Sequence, residues 1–335
     1  MKKYYFVISL LSFGLLFGCQ EKPLKKVHFT GTAQGTYYAI NYYETDSRDF
    51  QNEVDSLLNA FDQSVSVYQP NSIVSKINRN EEVELDDWFI ENFNLSQKIS
   101  GETEGSFDMT IAPLANVWGF GTFEKPDSVN HALIDSLKQY VDYHQISIIN
   151  GKLIKQNPHI QLNFNAIAQG YAVDVLAKYF KSNGINDFLI DLGGEIYASG
   201  QKPNGDHWKI GIEIPEDGAE ERFYNRIISL KDAAVATSGN YRKFYELDGK
   251  KYAHSLDPKT GFPVTHSLLS TTVIAPSAGE ADAYATAFMV LGVEKTLKYA
   301  EIHPHIKVYL MYDEDGELKT AMSKSFEEYI SVGSE

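Results

Sequence analysis

The chain predicts an α+β protein, with a mixed, largely antiparallel sheet core, packed helices and an inserted helical lobe. Three observations point there. Asn150-Gly151, Asp248-Gly249 and Asp315-Gly316 are tight-turn pairs, and those at 150 and 315 sit between short apolar runs, the signature of antiparallel hairpins. Segments with helical spacing are interspersed among the strand candidates. No internal repeat, low-complexity tract or long linker divides the chain, so residues 27–335 are expected to form one domain.

The first element is an export signal. Met1-Lys2-Lys3, an apolar run from Tyr4 to Phe17 and Gly18 give a charged start, a short apolar stretch and a small residue, so residues 1–18 read as a signal peptide. Leu16-Phe17-Gly18-Cys19 resembles a bacterial lipobox, with Phe17 bulkier than the usual residue. Cys19, the only cysteine, is then the lipidated residue of a tether over 19–26, which implies palmitate at the membrane and a protein facing the periplasm. A lone thiol suits lipidation better than disulfide or zinc chemistry. The competing reading is an uncleaved anchor helix, against which the run is short for a bilayer span.

Strands are expected at Val27 to Thr30 and Thr36 to Tyr43, flanking Gly31 to Gly35, followed by helices over Arg48 to Asp62 and Asp86 to Ser100. Ser64 to Ser72 reads as a polar loop. The hairpin at 146–155 leads to a strand, helix, strand unit: Ile160 to Phe164, Ala166 to Ser182 ending near Gly184, and Asp187 to Asp191. Further strands are expected at Trp208 to Ile214, Asn225 to Leu230, Ala233 to Thr237 and Leu268 to Ile274. A helix pair and a hairpin, Lys307 to Tyr312 with Leu318 to Ala321, end the pattern.

Loss of the signal removes Lys2 and Lys3 and takes the formal charge from -15 to -17. An acidic chain without basic clusters argues against nucleic acid as a partner. Several enzyme classes drop out with it. There is no G-x-x-x-x-G-K-[ST], no H-E-x-x-H and no G-x-S-x-G, and Gly119-Phe120-Gly121-Thr122-Phe123-Glu124 lacks the third glycine of a dinucleotide fingerprint.

Chemistry concentrates in four segments. In Ala275 to Gly292, Ser277 is placed to cap a helix with Glu280 reaching back, and Asp282 and Thr286 lie one turn apart on one face. Two oxygens pointing together would serve a hard cation such as Mg2+. An acidic first turn favoured by the macrodipole, and a threonine bonded to the preceding turn, explain the same residues. In Gln161 to Asp174 polar groups precede a helix start, where Gly170 admits either a ligand or another backbone, or simply eases helix on sheet packing. His254 lies beside a turn built from Asp257-Pro258 and Thr260-Gly261, where it is an acid-base candidate or a structural histidine. Phe107, beside Asp108, and Trp118 and Phe120 either face a flat ring or belong to the core.

Together and in order, these blocks resemble the FAD:protein FMN transferase family, the ApbE-like lipoproteins. The resemblance rests on Gln34-Gly35-Thr36-Tyr37, Ser66 to Asn78, Gly105-Ser106-Phe107-Asp108 to Trp118-Gly119, Ala166 to Asp174, and Asp191-Leu192-Gly193-Gly194. It continues through Thr237-Ser238-Gly239, His254 to Gly261, and Ala281-Asp282 to Leu291-Gly292. It implies an ApbE-like fold and a Mg2+-dependent transferase that splits FAD, joins FMN to a threonine of a target protein and releases AMP. The implied metal ligands are Asp282, the Thr286 hydroxyl and the Ala166 carbonyl. The implied flavin nucleotide contacts are Gln34, Tyr68, Ser106, Phe107, Asp108, Asn163, Gln169 and Leu256, with His254 polarising the incoming threonine. Implied targets are flavoprotein subunits of membrane redox complexes. Gln34 stands where methionine is common, Asn163 where aspartate is, Gln169 where lysine or glutamate is, and Ala285 where some members carry a second aspartate. The alternatives are an FAD diphosphatase that hands FMN to water, and a lipid-anchored flavin-binding protein without turnover.

Overall fold

The computed structural model describes residues 22–121, 129–215, 224–240, 244–247 and 250–331. The signal segment, Cys19 and the Asp248-Gly249 turn lie outside the described residues. The chain opens with β1 (Lys25–Ala33) and β2 (Thr36–Glu44), then α1 (Gln51–Val65), α2 (Ile73–Asn78), α3 (Asp87–Glu102), α4 (Ala112–Val117) and α5 (His131–Leu137). A short hairpin, β3 (Ile146–Ile149) and β4 (Lys152–Lys155), precedes α6 (Ala168–Ser182). Next come β5 (Phe188–Leu192), β6 (Glu195–Ser199), β7 (Trp208–Glu213), β8 (Tyr224–Leu230), β9 (Ala233–Gly239), β10 (Phe244–Leu247), β11 (Lys250–Ala253) and β12 (Leu268–Ala275). Helices α7 (Ala278–Leu291) and α8 (Val293–Ile302) and strands β13 (Lys307–Glu314) and β14 (Glu317–Met322) complete the order.

Eight strands form one sheet in the order β1-β2-β5-β6-β9-β12-β13-β14, and every neighbouring pair is antiparallel. The α+β expectation holds, and the helices α1 to α3 are inserted between sheet neighbours β2 and β5. Strand alternation sets which side is covered: Tyr38, Ile40 and Tyr42 on β2 are wholly buried beneath the helical layer. Helix α1 answers with Val54, Leu58, Phe61 and Val65 at spacings of four, three and four. The sheet's other face packs on the β7–β8 ribbon and the turn around Phe326 through Trp208, Val235, Ile274 and Met311. Helix α7 is apolar almost all round, and its residues from Ala278 to Met289 are nearly all buried, as befits a helix inside the core.

One strand expectation fails. Ile160 to Phe164 joins no sheet, and the Asn78 side chain takes the place of a neighbouring strand: its Nδ2 donates to the Leu162 carbonyl at 2.8 Å, and its Oδ1 accepts from the Leu162 amide at 2.7 Å. The proposed strand, helix, strand unit therefore lacks its first strand. Conversely, β6 was not expected. It follows β5 through Gly193 and Gly194, both at positive φ (62° and 106°), and its Ile196-Tyr197-Ala198 stretch is too short to signal itself. The region from Ser66 to Ser72 is the expected loop, and Ser72 then caps α2 by accepting from the Ser75 amide. Among the described residues, no helix is long and apolar enough to cross a membrane.

Candidate active site

The site forms where the start of α6 meets the first turns of α7. Ser277 caps α7 as expected, accepting from the Glu280 amide at 3.3 Å. Glu280 does not reach back. Its carboxylate pairs with Lys98 at 2.7 Å, and Asp174 of α6 takes over by accepting the Ala278 and Gly279 amides, both at 2.8 Å. Burial pushes Asp174 up to about 7, against those two amides.

One turn earlier on α6, Gly170 lies against α7. A Cβ there would come within 2.2 Å of the Ala278 carbonyl oxygen and 2.7 Å of Asp282 Cβ, so this glycine serves helix-on-helix approach and not helix on sheet packing. The Gly170 amide donates to Asp282 Oδ2 at 3.1 Å. Gly170 is the third residue of α6, so its amide belongs to the first turn, where no intrahelical carbonyl is available, and the carboxylate of α7 takes it. Ala166 lies two residues before the first residue of α6, in the turn that leads into it. Burial, with the charge of Asp174 adding, raises Asp282 to about 7, while the Gly170 amide opposes the rise.

The residues present fit a hard cation. Ala166 offers a carbonyl, Asp282 a carboxylate and Thr286 a half-buried hydroxyl, an all-oxygen donor set. Glu195, at the start of β6, is driven well up, first by desolvation and then by the Asp282 charge. No lysine or arginine is among the main influences on either carboxyl, so a cation would relieve both. Glu195 was not singled out in the sequence. Its signal is the Gly193-Gly194 turn, which brings it onto Gln169: the Gln169 Nε2 donates to both Glu195 Oε2 and the Leu192 carbonyl.

Thr286 connects to a second wall. Its hydroxyl lies 3.3 Å from that of Ser238 on β9, and two residues on, Asn240 Oδ1 accepts from Ser255 Oγ at 2.7 Å. Ser255 is flanked by His254 and Leu256, so β9 ties the histidine loop to the helix carrying Asp282 and Thr286. Ser238 and Ser255 fall inside segments that the sequence singles out without assigning them roles. His254 is half-buried with the Phe120 ring edge-on at 6.5 Å, and Leu256 is buried against Leu114, Ala115, Trp118 and Ile134.

The remaining candidates divide between lining and framework. Tyr68 is the most exposed, at 59%, and its hydroxyl accepts from Asn165 Nδ2 at 3.0 Å. Gln34 occupies the β1–β2 turn at φ 52° and donates to Asp62 Oδ1 at 3.1 Å. Asn163 is buried, its Oδ1 accepting from the Asn165 amide at 2.7 Å. Ser106, Phe107 and Asp108 are buried too. Asp108 spends Oδ1 on the Thr110 amide and hydroxyl and Oδ2 on the Tyr143 amide, so it clasps its own loop. Phe107 belongs to the main core and Trp118 to a small separate one. Cys19 lies outside the described residues.

The profile of the ApbE family matches residues 34–310. Among curated proteins, the chain is 34% identical over 333 residues to the FAD:protein FMN transferase of Vibrio cholerae serotype O1, covering 97% of this chain and 98% of that one. Among solved structures, the flavin transferase ApbE from Vibrio cholerae superposes with a TM-score of 0.83 at 33% identity, over 92% of this chain and all 100% of that one. The apo form of Pseudomonas stutzeri flavinyl transferase ApbE gives 0.82 at 33% identity, over 92% and 98%.

Proposed function

The chain belongs to the ApbE family, and from that premise we propose that it is an FAD:protein FMN transferase acting on a threonine of a target flavoprotein. The observation that carries the reading is the first-turn Gly170 amide of α6, which donates to Asp282 and fixes that buried carboxylate where α6 crosses α7. Mg2+ would be held there by Ala166, Asp282 and Thr286, and when bound it supplies charge neutralisation on the pyrophosphate of FAD. The chain's own residues do the rest. Tyr68 offers an exposed ring to the flavin, with Gln34, Asn163, Gln169, Leu256 and the 106–108 loop shaping its pocket. His254 takes the proton of the incoming threonine hydroxyl. A bond forms between that oxygen and the FMN phosphorus, the bond from this phosphorus to the bridging oxygen breaks, and AMP leaves with the bridging oxygen. The relatives are named as transferases, which supports this reading over a diphosphatase or a binder without turnover.

A threonine-containing target peptide incubated with FAD, with and without Mg2+, tests the proposal. FMN added to the threonine, with matching AMP and only in the presence of Mg2+, is expected. Free FMN beside an unmodified peptide would make it a diphosphatase, and no AMP at all would leave only binding. We further propose that residues 1–18 are removed and that Cys19 is lipidated, holding the 27–335 domain at the membrane on the periplasmic side, where flavoprotein subunits of membrane redox complexes are the targets. Cys19→Ser should then lose palmitate labelling and membrane association, and retention of both would refute the anchor.

A further inference from the structure

Among the described residues, the loop that carries His254 is held on two sides, by the end of β9 and by the α4–α5 lobe. On the sheet side, Ser255 bonds Asn240 at the end of β9. The other side is the α4–α5 lobe, whose Leu114, Ala115, Trp118 and Ile134 form a small core of their own with Leu256 of the loop, separate from the main core. Trp118 is 1% exposed, and its Nε1 donates to the Gly261 carbonyl at 2.8 Å, across 143 residues of sequence. Its ring meets Phe262 edge-on at 5.7 Å, and His131 lies over the same phenylalanine at 5.0 Å. Gly261 adopts φ +78°, and a Cβ there would come within 2.8 Å of Ile134 Cγ2, so the loop approaches the lobe as closely as its backbone permits. The loop is otherwise closed on itself by Gly261 N–H to the Asp257 carbonyl, 2.8 Å, Asp257 N–H to the Phe262 carbonyl, 2.9 Å, and Val264 N–H to the Ser255 carbonyl, 3.0 Å. These bonds tie the loop into a unit, and Ser255 and the Trp118 lobe hold that unit from outside on two sides.

We propose that Trp118 is a positioning residue for the transfer step: through Gly261 and Phe262 it fixes the loop that presents His254 to the acceptor hydroxyl. The inference rests on the transferase reading and on His254 as the group that takes the acceptor's proton. A protein-borne threonine must be aligned with both phosphorus and base, whereas water is small, abundant and needs no such alignment. A loosened loop thus penalises transfer more than hydrolysis. The quantity that reports it is the division of FMN between peptide and solvent.

The experiment compares wild type with W118F, which keeps an aromatic ring and loses the N–H donor, using full-length enzyme, FAD, Mg2+ and the target peptide. Peptide-bound FMN, free FMN and AMP are measured per folded molecule. The expected result is a fall of at least threefold in the ratio of peptide-bound to free FMN. G261A, which forces loop and lobe apart while leaving the indole in place, should shift the ratio in the same direction. Should W118F not fold, F262L carries the same expectation. An unchanged ratio in the variants that fold would overturn the proposal, since a purely structural role lowers stability or yield without redirecting product. If wild type itself releases no AMP, the underlying functional reading is what has failed.

Discussion

Asp174 and Asp282 sit on two helices that bolt each other together, and their situations differ in a way that pH exposes. Each carboxyl accepts backbone amides from the opposite helix: Asp282 from Gly170, Asp174 from Ala278 and Gly279. Asp174 meets no substrate in the proposed reaction, so its titration bears on stability. Burial holds it near 7, above the ordinary 3.8, with Glu280 adding to the rise and Lys181 opposing it. A carboxyl whose pKa is raised on folding contributes stability that is fully present below the unfolded value and is lost as the pH climbs through the folded one. Between pH 5 and pH 7 that loss is about 2 kcal/mol, because each whole step in pH between the unfolded and folded values costs roughly 1.4 kcal/mol. Asp174→Asn keeps an oxygen for one amide and never ionises. Urea unfolding at the two pH values, with Mg2+ held constant, should show wild type losing stability relative to the variant as pH rises. Parallel curves for the two proteins would mean that the buried carboxyl is ionised throughout.

At the scale of elements, Asn78 does what a strand would otherwise do. Its two hydrogen bonds to the Leu162 backbone hold the segment that leads to Asn163 and Ala166, and the Asn163 amide is further pinned to the Met109 carbonyl at 2.7 Å. Asn78→Ala leaves a buried donor and acceptor unpaired, which should cost about 1–3 kcal/mol. FAD affinity should fall along with stability, because Asn163 and Ala166 line the proposed site. Flavin fluorescence titration on the folded fraction checks this, and unchanged affinity would show that the segment keeps its shape without Asn78. The same residue explains why this part of the fold was illegible in sequence. Ile160 to Phe164 has the composition of a strand, and nothing local reveals that its hydrogen-bond partner is a side chain more than eighty residues upstream. Hairpins were legible because their turns are local, as at Asn150-Gly151 and at Asp315-Gly316, where both residues take positive φ (56° and 81°). Asp282 and Thr286 were visible as an i, i+4 pair for the same reason. Glu195 and the β9 link through Ser238 and Asn240 were not, since each is made by strands and helices brought together only in the folded sheet.

For the whole molecule the dominant fact is charge. The chain carries 30 lysines and arginines against 45 acidic residues, and the proposed substrate is itself an anion. Near the site the balance is no kinder: the charge of Asp174 raises Asp282, and those of Asp282 and Asp191 raise Glu195. Many enzymes of anionic substrates use long-range attraction to speed encounter, and added salt then slows them. Here the sign is reversed. With Mg2+ held saturating and constant, a cation at the proposed site would neutralise the pyrophosphate locally, while the protein's net field repels FAD on approach. Raising NaCl from about 10 mM to about 150 mM shortens the screening length from roughly 30 Å to about 8 Å and removes most of that repulsion. The kcat/KM for FAD should therefore rise by a few-fold with salt, chiefly through KM, and measured initial rates of AMP release across that range decide the matter. A fall with salt would mean that lysines and arginines near the mouth of the site outweigh the acidic bulk, and that FAD is steered in by the protein.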